Sequence, residues 1–254
     1  MRILLTNDDG IGSAGLRALA ERLSREHEIW IVAPESERSA CSMSISLRRP
    51  VRVRQVAERE FAADGTPVDC VMTGLLAVIH DEIDAVISGI NRGSNLGTDI
   101  LYSGTVAAAR QGALAGKPSF AFSLYDESGA YDFTATADFA AREIPRLAAV
   151  WSGDHFLNIN VPAGAETPFR CAVTYPSRRV YRDHYEVFKA PYPDGGLYCF
   201  LTGDLLTCRE AAGSDYDAVC GGEVSLSPLA VHPEACGAAP DYRALLEAGE
   251  RTRP

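Results

Sequence analysis

The sequence predicts an α/β fold: a mostly parallel sheet with helices on both faces, followed by a C-terminal β-hairpin arm and a short helix. Three observations predict it. Short apolar runs alternate with segments of helical period through the first 165 residues, and strands separated by helices need crossover connections, hence a parallel sheet. Polar, glycine-rich loops follow the apolar runs, where such sheets bind ligands. After about residue 165 the texture changes to alternating, aromatic stretches with clustered turn residues. The expected division is residues 1–165 as the α/β domain and 166–254 as a hairpin and oligomerisation region.

Taken in order, Ile3 to Thr6 is a buried strand, and Leu16, Leu19, Ala20 and Leu23 recur at helical spacing. Ile29 to Ala33 is a second strand, ended by Pro34. Thr66 and Pro67 read as an N-cap and first helical residue, opening a helix through Val71, Leu75 and Val78. Ala85 to Ile87 is a short strand, Thr105 to Ala115 an alanine-rich helix and Ser119 to Ser123 a further strand. A helix is expected over Asp138 to Val150, kinked or split by Pro145. Phe156 to Val161 is a strand stopped by Pro162. Beyond it, Tyr175, Tyr181, Tyr185, Tyr198 and Phe200 surround turn residues at Pro191 to Gly196, which reads as hairpins, and a short helix is expected over Tyr242 to Glu247.

Composition narrows the function classes. At 46% hydrophobic and 23% charged the 254 residues are ordinary for a globular protein. No apolar run is long enough to span a bilayer, and MRILLTNDDG lacks the apolar stretch of a signal peptide. A cytoplasmic protein with no membrane partner is expected. The formal net charge of −10 argues against binding a nucleic-acid duplex. The seven cysteines include no CxxC pair and read as reduced thiols.

Three loops at one sheet edge carry chemistry. Asn7-Asp8-Asp9-Gly10 follows the first strand. Two adjacent carboxylates at a strand end can both turn toward one cation, and their oxygens suit hard ions such as Mg²⁺ or Mn²⁺. Pro34 to Ser42 follows the second strand and supplies hydroxyls. Ser88-Gly89-Ile90-Asn91-Arg92-Gly93-Ser94-Asn95-Leu96-Gly97 follows the strand near residue 87, and Ser103-Gly104-Thr105 then opens a helix. Unpaired N–H groups and the dipole at a helix start attract phosphate. Strand-end reasoning leaves open whether Asn91 or Asn95 joins a metal. None of His27, His80, His155, His184 and His232 lies in these loops, so no histidine base is assigned.

MRILLTNDDG, VAPESERSACSMSIS, DGTPVDCV, ISGINRGSNLGTDILYSGTVAAAR and VSLSPL together resemble the SurE (survival protein E) family of metal-dependent nucleotidases. Arg178, Arg179, Tyr181 and Asp183 also fit that family. The resemblance implies a Rossmann-like catalytic domain and a smaller C-terminal arm used in oligomerisation. It implies one divalent metal ion, Mg²⁺ or Mn²⁺, held by Asp8, Asp9, Ser39 and Asn91, and phosphate contacts from Asn95, Ser103, Gly104 and Thr105. The implied activity is hydrolysis of nucleoside monophosphates, a 5'-nucleotidase, with 3'-nucleotides and polyphosphate as further substrates in view. Asp8 and Asp9 are the expected catalytic residues. Whether water or a carboxylate attacks phosphorus stays open. A nucleotide-dependent glycosyltransferase and a noncatalytic binding protein are the rival classes. The arm's apolar side chains need cover from either the α/β body or a partner subunit; the resemblance implies the partner, and so a homodimer or homotetramer.

Overall fold

A computed structural model describes residues 1–191, 195–209 and 212–234, with 205–209 as backbone. The helix expected over residues 242–247 and part of the expected turn at 191–196 lie outside these residues.

The chain begins as a strand–helix alternation. Strand β1 (Arg2–Thr6) leads to helix α1 (Ala14–Leu23) and strand β2 (Glu28–Pro34). An antiparallel pair follows, β3 (Val53–Ala57) and β4 (Glu60–Ala63), then α2 (Pro67–Thr73), which runs into a π-helical turn over Gly74–Val78. Next come β5 (Ala85–Arg92), a 3-10 turn (Gly97–Leu101), α3 (Gly104–Leu114), β6 (Ser119–Tyr125), α4 (Thr134–Ala149) and β7 (His155–Pro162). The remainder is β8 (Cys171–Val173), the hairpin strands β9 (Arg178–Lys189) and β10 (Leu197–Arg209), α5 (Asp215–Cys220) and β11 (Val224–Ala230).

One nine-stranded sheet has the order β3-β4-β2-β1-β5-β6-β7-β11-β8. Its centre, β4-β2-β1-β5-β6-β7, is parallel, while β3 and β11 run antiparallel to their inner neighbours. Successive residues of β1 serve opposite faces, as the strand period of two requires. Ile3 and Leu5 pack in a cluster with Leu16 and Leu19 of α1 and Phe139 and Ile144 of α4. Leu4 packs with Val71 of α2 and Ala108 of α3. Helices therefore cover both faces, and the central strands are mostly apolar because neither side meets water.

Local chemistry explains the helix starts. Thr66 and Asp69 form a capping box at α2, with Pro67 in the first turn. Ser103 caps α3 by accepting from the Val106 N–H at 3.1 Å. Helix α4 starts at Thr134, before the expected Asp138, and Pro145 lies inside it. The helix runs through Pro145 without a break, so the expected split does not occur. Pro145 sits on the exposed side, while Phe139, Ala140 and Ile144 are held buried on the other.

Strands β8 and β11, both after residue 165, join the main sheet. The hairpin β9–β10 forms its own two-stranded sheet, paired from Arg178↔Arg209 to Lys189↔Leu197. Among the described residues no helix is long and apolar enough to cross a membrane.

Candidate active site

The strand order reverses about β1: β2 lies on one side, and β5, reached later in the chain, lies on the other. Such a switch point leaves a crevice beyond the carboxyl ends of the strands. There Asp8, Asp9, Glu37, Ser39, Asn91, Arg92, Asn95, Asp99, Tyr102 and Ser103 line a cleft of about 320 Å³.

The turn after β1 is built by Asn7, whose Nδ2 donates to the Gly10 carbonyl at 3.0 Å and to Ser13 Oγ at 2.7 Å. That side chain is fully buried, so it braces the loop from below. The loop after β2 is tied on by the Arg38 N–H, which donates to the Asp8 carbonyl at 2.7 Å. Asp8 is 6% exposed. Burial pushes its carboxyl above the ordinary range, the neighbouring charge of Asp9 adds to this, and a hydrogen bond from the Thr105 hydroxyl opposes it. Asp9 is likewise raised, first by burial, with the charge of Glu37 adding; the Arg92 N–H, donating at 3.2 Å, pulls the other way. Asp8 and Asp9, adjacent and facing one cleft, are costly to hold ionised together without a cation.

Asn91 comes from a bulge in β5. Its pairing with β6 slips between Ser88 and Asn91, and Gly89 in that slip has φ +130° with the Phe122 carbonyl oxygen 2.3 Å from where a Cβ would stand. Only glycine fits there. The Asn91 Nδ2 donates to the Gly93 carbonyl at 2.8 Å, which leaves its Oδ1 on the side of Thr105, 3.3 Å from that hydroxyl, and so beside Asp8. Asn95 is fastened differently: its N–H donates to Asn160 Oδ1 at 2.9 Å and its Nδ2 to Ser123 Oγ at 2.8 Å. The Ser39 hydroxyl donates to Glu37 at 2.5 Å. All these donors are oxygens of the kind hard divalent cations prefer, and the Asn91 amide is held with its oxygen toward the acidic pair. The residues present therefore fit such an ion.

The start of α3 meets the same cleft. A Cβ on Gly104 would stand 2.9 Å from the Cβ of Asp8 and 2.8 Å from Cys41 Sγ. Glycine here lets Asp8 lie directly against the helix start. Ser103 lines the cleft, whereas the Thr105 side chain is fully buried and bonds to Asp8.

Several lining residues carried no role in the sequence reading. Glu37 stands in a loop expected to supply hydroxyls, and Arg92, Asp99 and Tyr102 lie in or just after the glycine-rich stretch without a role of their own. Asp99 accepts from the Tyr181 hydroxyl at 2.8 Å and pairs with Arg179, so the root of the hairpin reaches the cleft wall. Behind the cleft, Asn158 and Asn160 of β7 both donate to the Asn95 carbonyl, at 2.8 and 3.1 Å. The signal for them was legible: two asparagines at strand spacing inside a buried apolar run. Asp215, fully buried, accepts from the Gly97 N–H at 2.7 Å and the Ser177 N–H at 2.8 Å. It lies far from the cleft residues in sequence, and nothing local marks it.

Fold and cleft together define a Rossmann-like α/β protein with an acidic, oxygen-lined cleft at its topological switch point. The survival protein SurE family matches residues 3–183. A 5'-nucleotidase SurE of Thermosipho melanesiensis is 40% identical over 91% of this chain and 92% of its own. One of Myxococcus xanthus is 42% identical over 94% of this chain and 91% of its own. The crystal structure of the SurE protein from Aquifex aeolicus superposes with a TM-score of 0.78 at 31% identity, covering all of both chains. The chain belongs to the survival protein SurE family.

Proposed function

We propose that this protein is a metal-dependent phosphomonoester hydrolase acting on nucleoside monophosphates, a 5'-nucleotidase, with Asp8, Asp9, Ser39 and Asn91 holding one Mg²⁺ or Mn²⁺. The observation that carries the proposal is the buried Asp8 abutting the start of α3 across Gly104, with Asp9 beside it in the cleft; a cation on the carboxylates would then lie next to a helix start, which attracts phosphate. The names of the 5'-nucleotidase relatives support the substrate class.

The bound ion would supply Lewis acidity at a phosphate oxygen and lower the pKa of a coordinated water. The chain's own residues do the rest. Ser103, Gly104 and Asn95 bind and orient the phosphate and meet charge on its equatorial oxygens. Thr105 joins them as a phosphate contact at the helix start, and its hydroxyl positions Asp8. Residues 1–165 contain every proposed ligand, and 166–254 contribute the arm.

We further propose a homodimer, open to pairing into a tetramer. Tyr185, Phe188, Leu197, Phe200 and Leu201 of the hairpin are all more than half exposed, and a second copy would cover them. Cys41, Cys70, Cys171, Cys199 and Cys220 are free, in keeping with a reducing, cytoplasmic setting.

Phosphate release from a panel of nucleoside 5'- and 3'-monophosphates tests the activity. The expected result is turnover with Mn²⁺ or Mg²⁺, none in EDTA, and recovery on adding the ion back. Turnover undiminished in EDTA, or binding without release, would overturn it; release of a nucleoside diphosphate from a nucleotide sugar would point to group transfer.

A further inference from the structure

The acidic cleft opens into a second one. The two share Asp9, Glu37 and Arg92, and the second continues past Ser13, Gly15, Ala130, Tyr131 and Phe133 with a volume of about 460 Å³. Its chemistry differs from that of the first. Carboxylates and amides give way to rings: the Arg92 guanidinium lies over the Tyr131 ring, 4.6 Å from its centroid. The edge of Phe133 stands 3.2 Å from where a Cβ on Gly15 would be, closing the cleft against the start of α1.

The loop that presents Tyr131 is held in place. Tyr131 has φ +51°, a left-handed conformation that side chains other than glycine rarely adopt. Asp126 holds it there, accepting from Ser128 Oγ at 2.6 Å, the Tyr131 N–H at 2.7 Å and the Ser128 N–H at 2.8 Å. Residues held in such conformations cluster at ligand clamps. The loop's hydrogen bonds fix where the ring stands, and Arg92, the last residue of β5, links the ring to the acidic pair.

We propose that this second cleft takes the nucleoside of the substrate, its base stacked on the Arg92–Tyr131 pair while the phosphate lies among Asp8, Asp9 and Ser103. The inference rests on the phosphomonoesterase reading given above. Bases stack on aromatic rings and on guanidinium planes alike, and every base offers a π face. The cleft therefore selects a nucleotide over a bare sugar phosphate, with little preference among bases. Each volume falls in the range of about 300–1,000 Å³ usual for small-molecule sites. The rival ring is Tyr102, which lines the first cleft but is 63% exposed, whereas Tyr131 is half-buried against the core.

The test compares adenosine 5'-monophosphate with ribose 5-phosphate, which lacks the base, for the wild type, Tyr131→Ala, Tyr131→Phe and Tyr102→Ala in Mn²⁺. Tyr131→Ala is expected to raise KM for the nucleotide about tenfold or more and to leave ribose 5-phosphate kinetics unchanged. Tyr131→Phe, which keeps the ring, should retain the wild-type ratio. Equal loss on both substrates, no change on either, or transfer of the effect to Tyr102→Ala would overturn the proposal. If circular dichroism shows Tyr131→Ala unfolded, Tyr131→Leu takes its place. Wild-type protein that releases phosphate from neither compound would defeat the hydrolase reading instead. Calorimetry with adenosine alone then decides the subsite: tighter binding to wild type than to the Tyr131 variant supports it, and equal or absent binding refutes it.

Discussion

Asp8 and Asp9 are placed where an isolated carboxylate resists ionising. Burial raises both, and each has a neighbouring carboxylate that raises it further. In the unfolded chain these groups ionise at ordinary values near 3.8. A folded-state value above the unfolded one costs stability: the penalty is absent at low pH, grows as pH rises through the unfolded value, and is complete above the folded one. Asp9→Asn should therefore stabilise the metal-free protein at pH 7, by about 2–4 °C for each kcal/mol of repulsion relieved. It should also lower kcat by on the order of 10² or more, because the cation site is lost. Melting curves in EDTA at pH 7 and near pH 3.5, with a phosphate-release assay, check both halves. A variant less stable than wild type at pH 7 in EDTA would contradict the electrostatic account. Asn91 and Asn95 are chemically equal in sequence, but only Asn91 has its amide oxygen beside the Thr105 hydroxyl that bonds to Asp8. Asn95 is tied to Ser123 and Asn160.

The elements near the cleft are positioned by polar residues that are themselves buried. Asp69, in the capping box of α2, accepts from the Ser46 N–H at 2.9 Å, Ser46 Oγ at 2.8 Å and the Thr66 N–H at 3.0 Å. Burial alone would raise its carboxyl; the hydrogen bonds outweigh burial and hold it below the ordinary range. The stability it contributes is present above the unfolded value and lost as pH falls through the folded one. Asp69→Ala is expected to cost about 1–2 kcal/mol at pH 7, with the gap narrowing in acid; urea melts at the two pH values measure this. This helix start was legible because Thr-Pro-x-Asp is a local pattern. So were β1 and β6, whose apolar runs are buried on both faces, and β2 and α3. The β3–β4 pair, β8, α5 and β11 were not. Arg54, Gln55 and Val56 in β3 are exposed and show no buried run. Strand β11 takes its place through pairing with Phe156–Asn160, residues remote in sequence. Helix α5 is only six residues long, capped by Ser214. Edges and short elements are settled by tertiary pairing, which no local periodicity reports.

In the whole molecule the hairpin is coupled to the cleft. Its root is pinned by Arg179 and Tyr181 to Asp99 and by the Arg179 N–H to Thr98 Oγ1 at 3.1 Å, while its outer half exposes aromatic and aliphatic side chains. Outer half and root should separate by mutation. Replacing residues 185–201 by an Asn-Gly turn joins His184 to Thr202, which already face each other across the ladder. The shortened protein is expected to be monomeric by light scattering and to retain metal binding, because Tyr181 and Asp99 are untouched. A monomeric full-length protein at micromolar concentration would contradict the assembly proposal and leave the cleft unaffected.

The central proposal is a cation held between the ends of β1 and β5. A crystal soaked in Mn²⁺ and measured at the manganese edge tests it most directly. The account predicts one dominant anomalous peak in the cleft, at about 2.0–2.3 Å from carboxylate oxygens of Asp8 and Asp9, flanked by Ser39 and Asn91, and absent from crystals of Asp9→Asn. A strongest peak elsewhere, or the same peak undiminished in that variant, would contradict it.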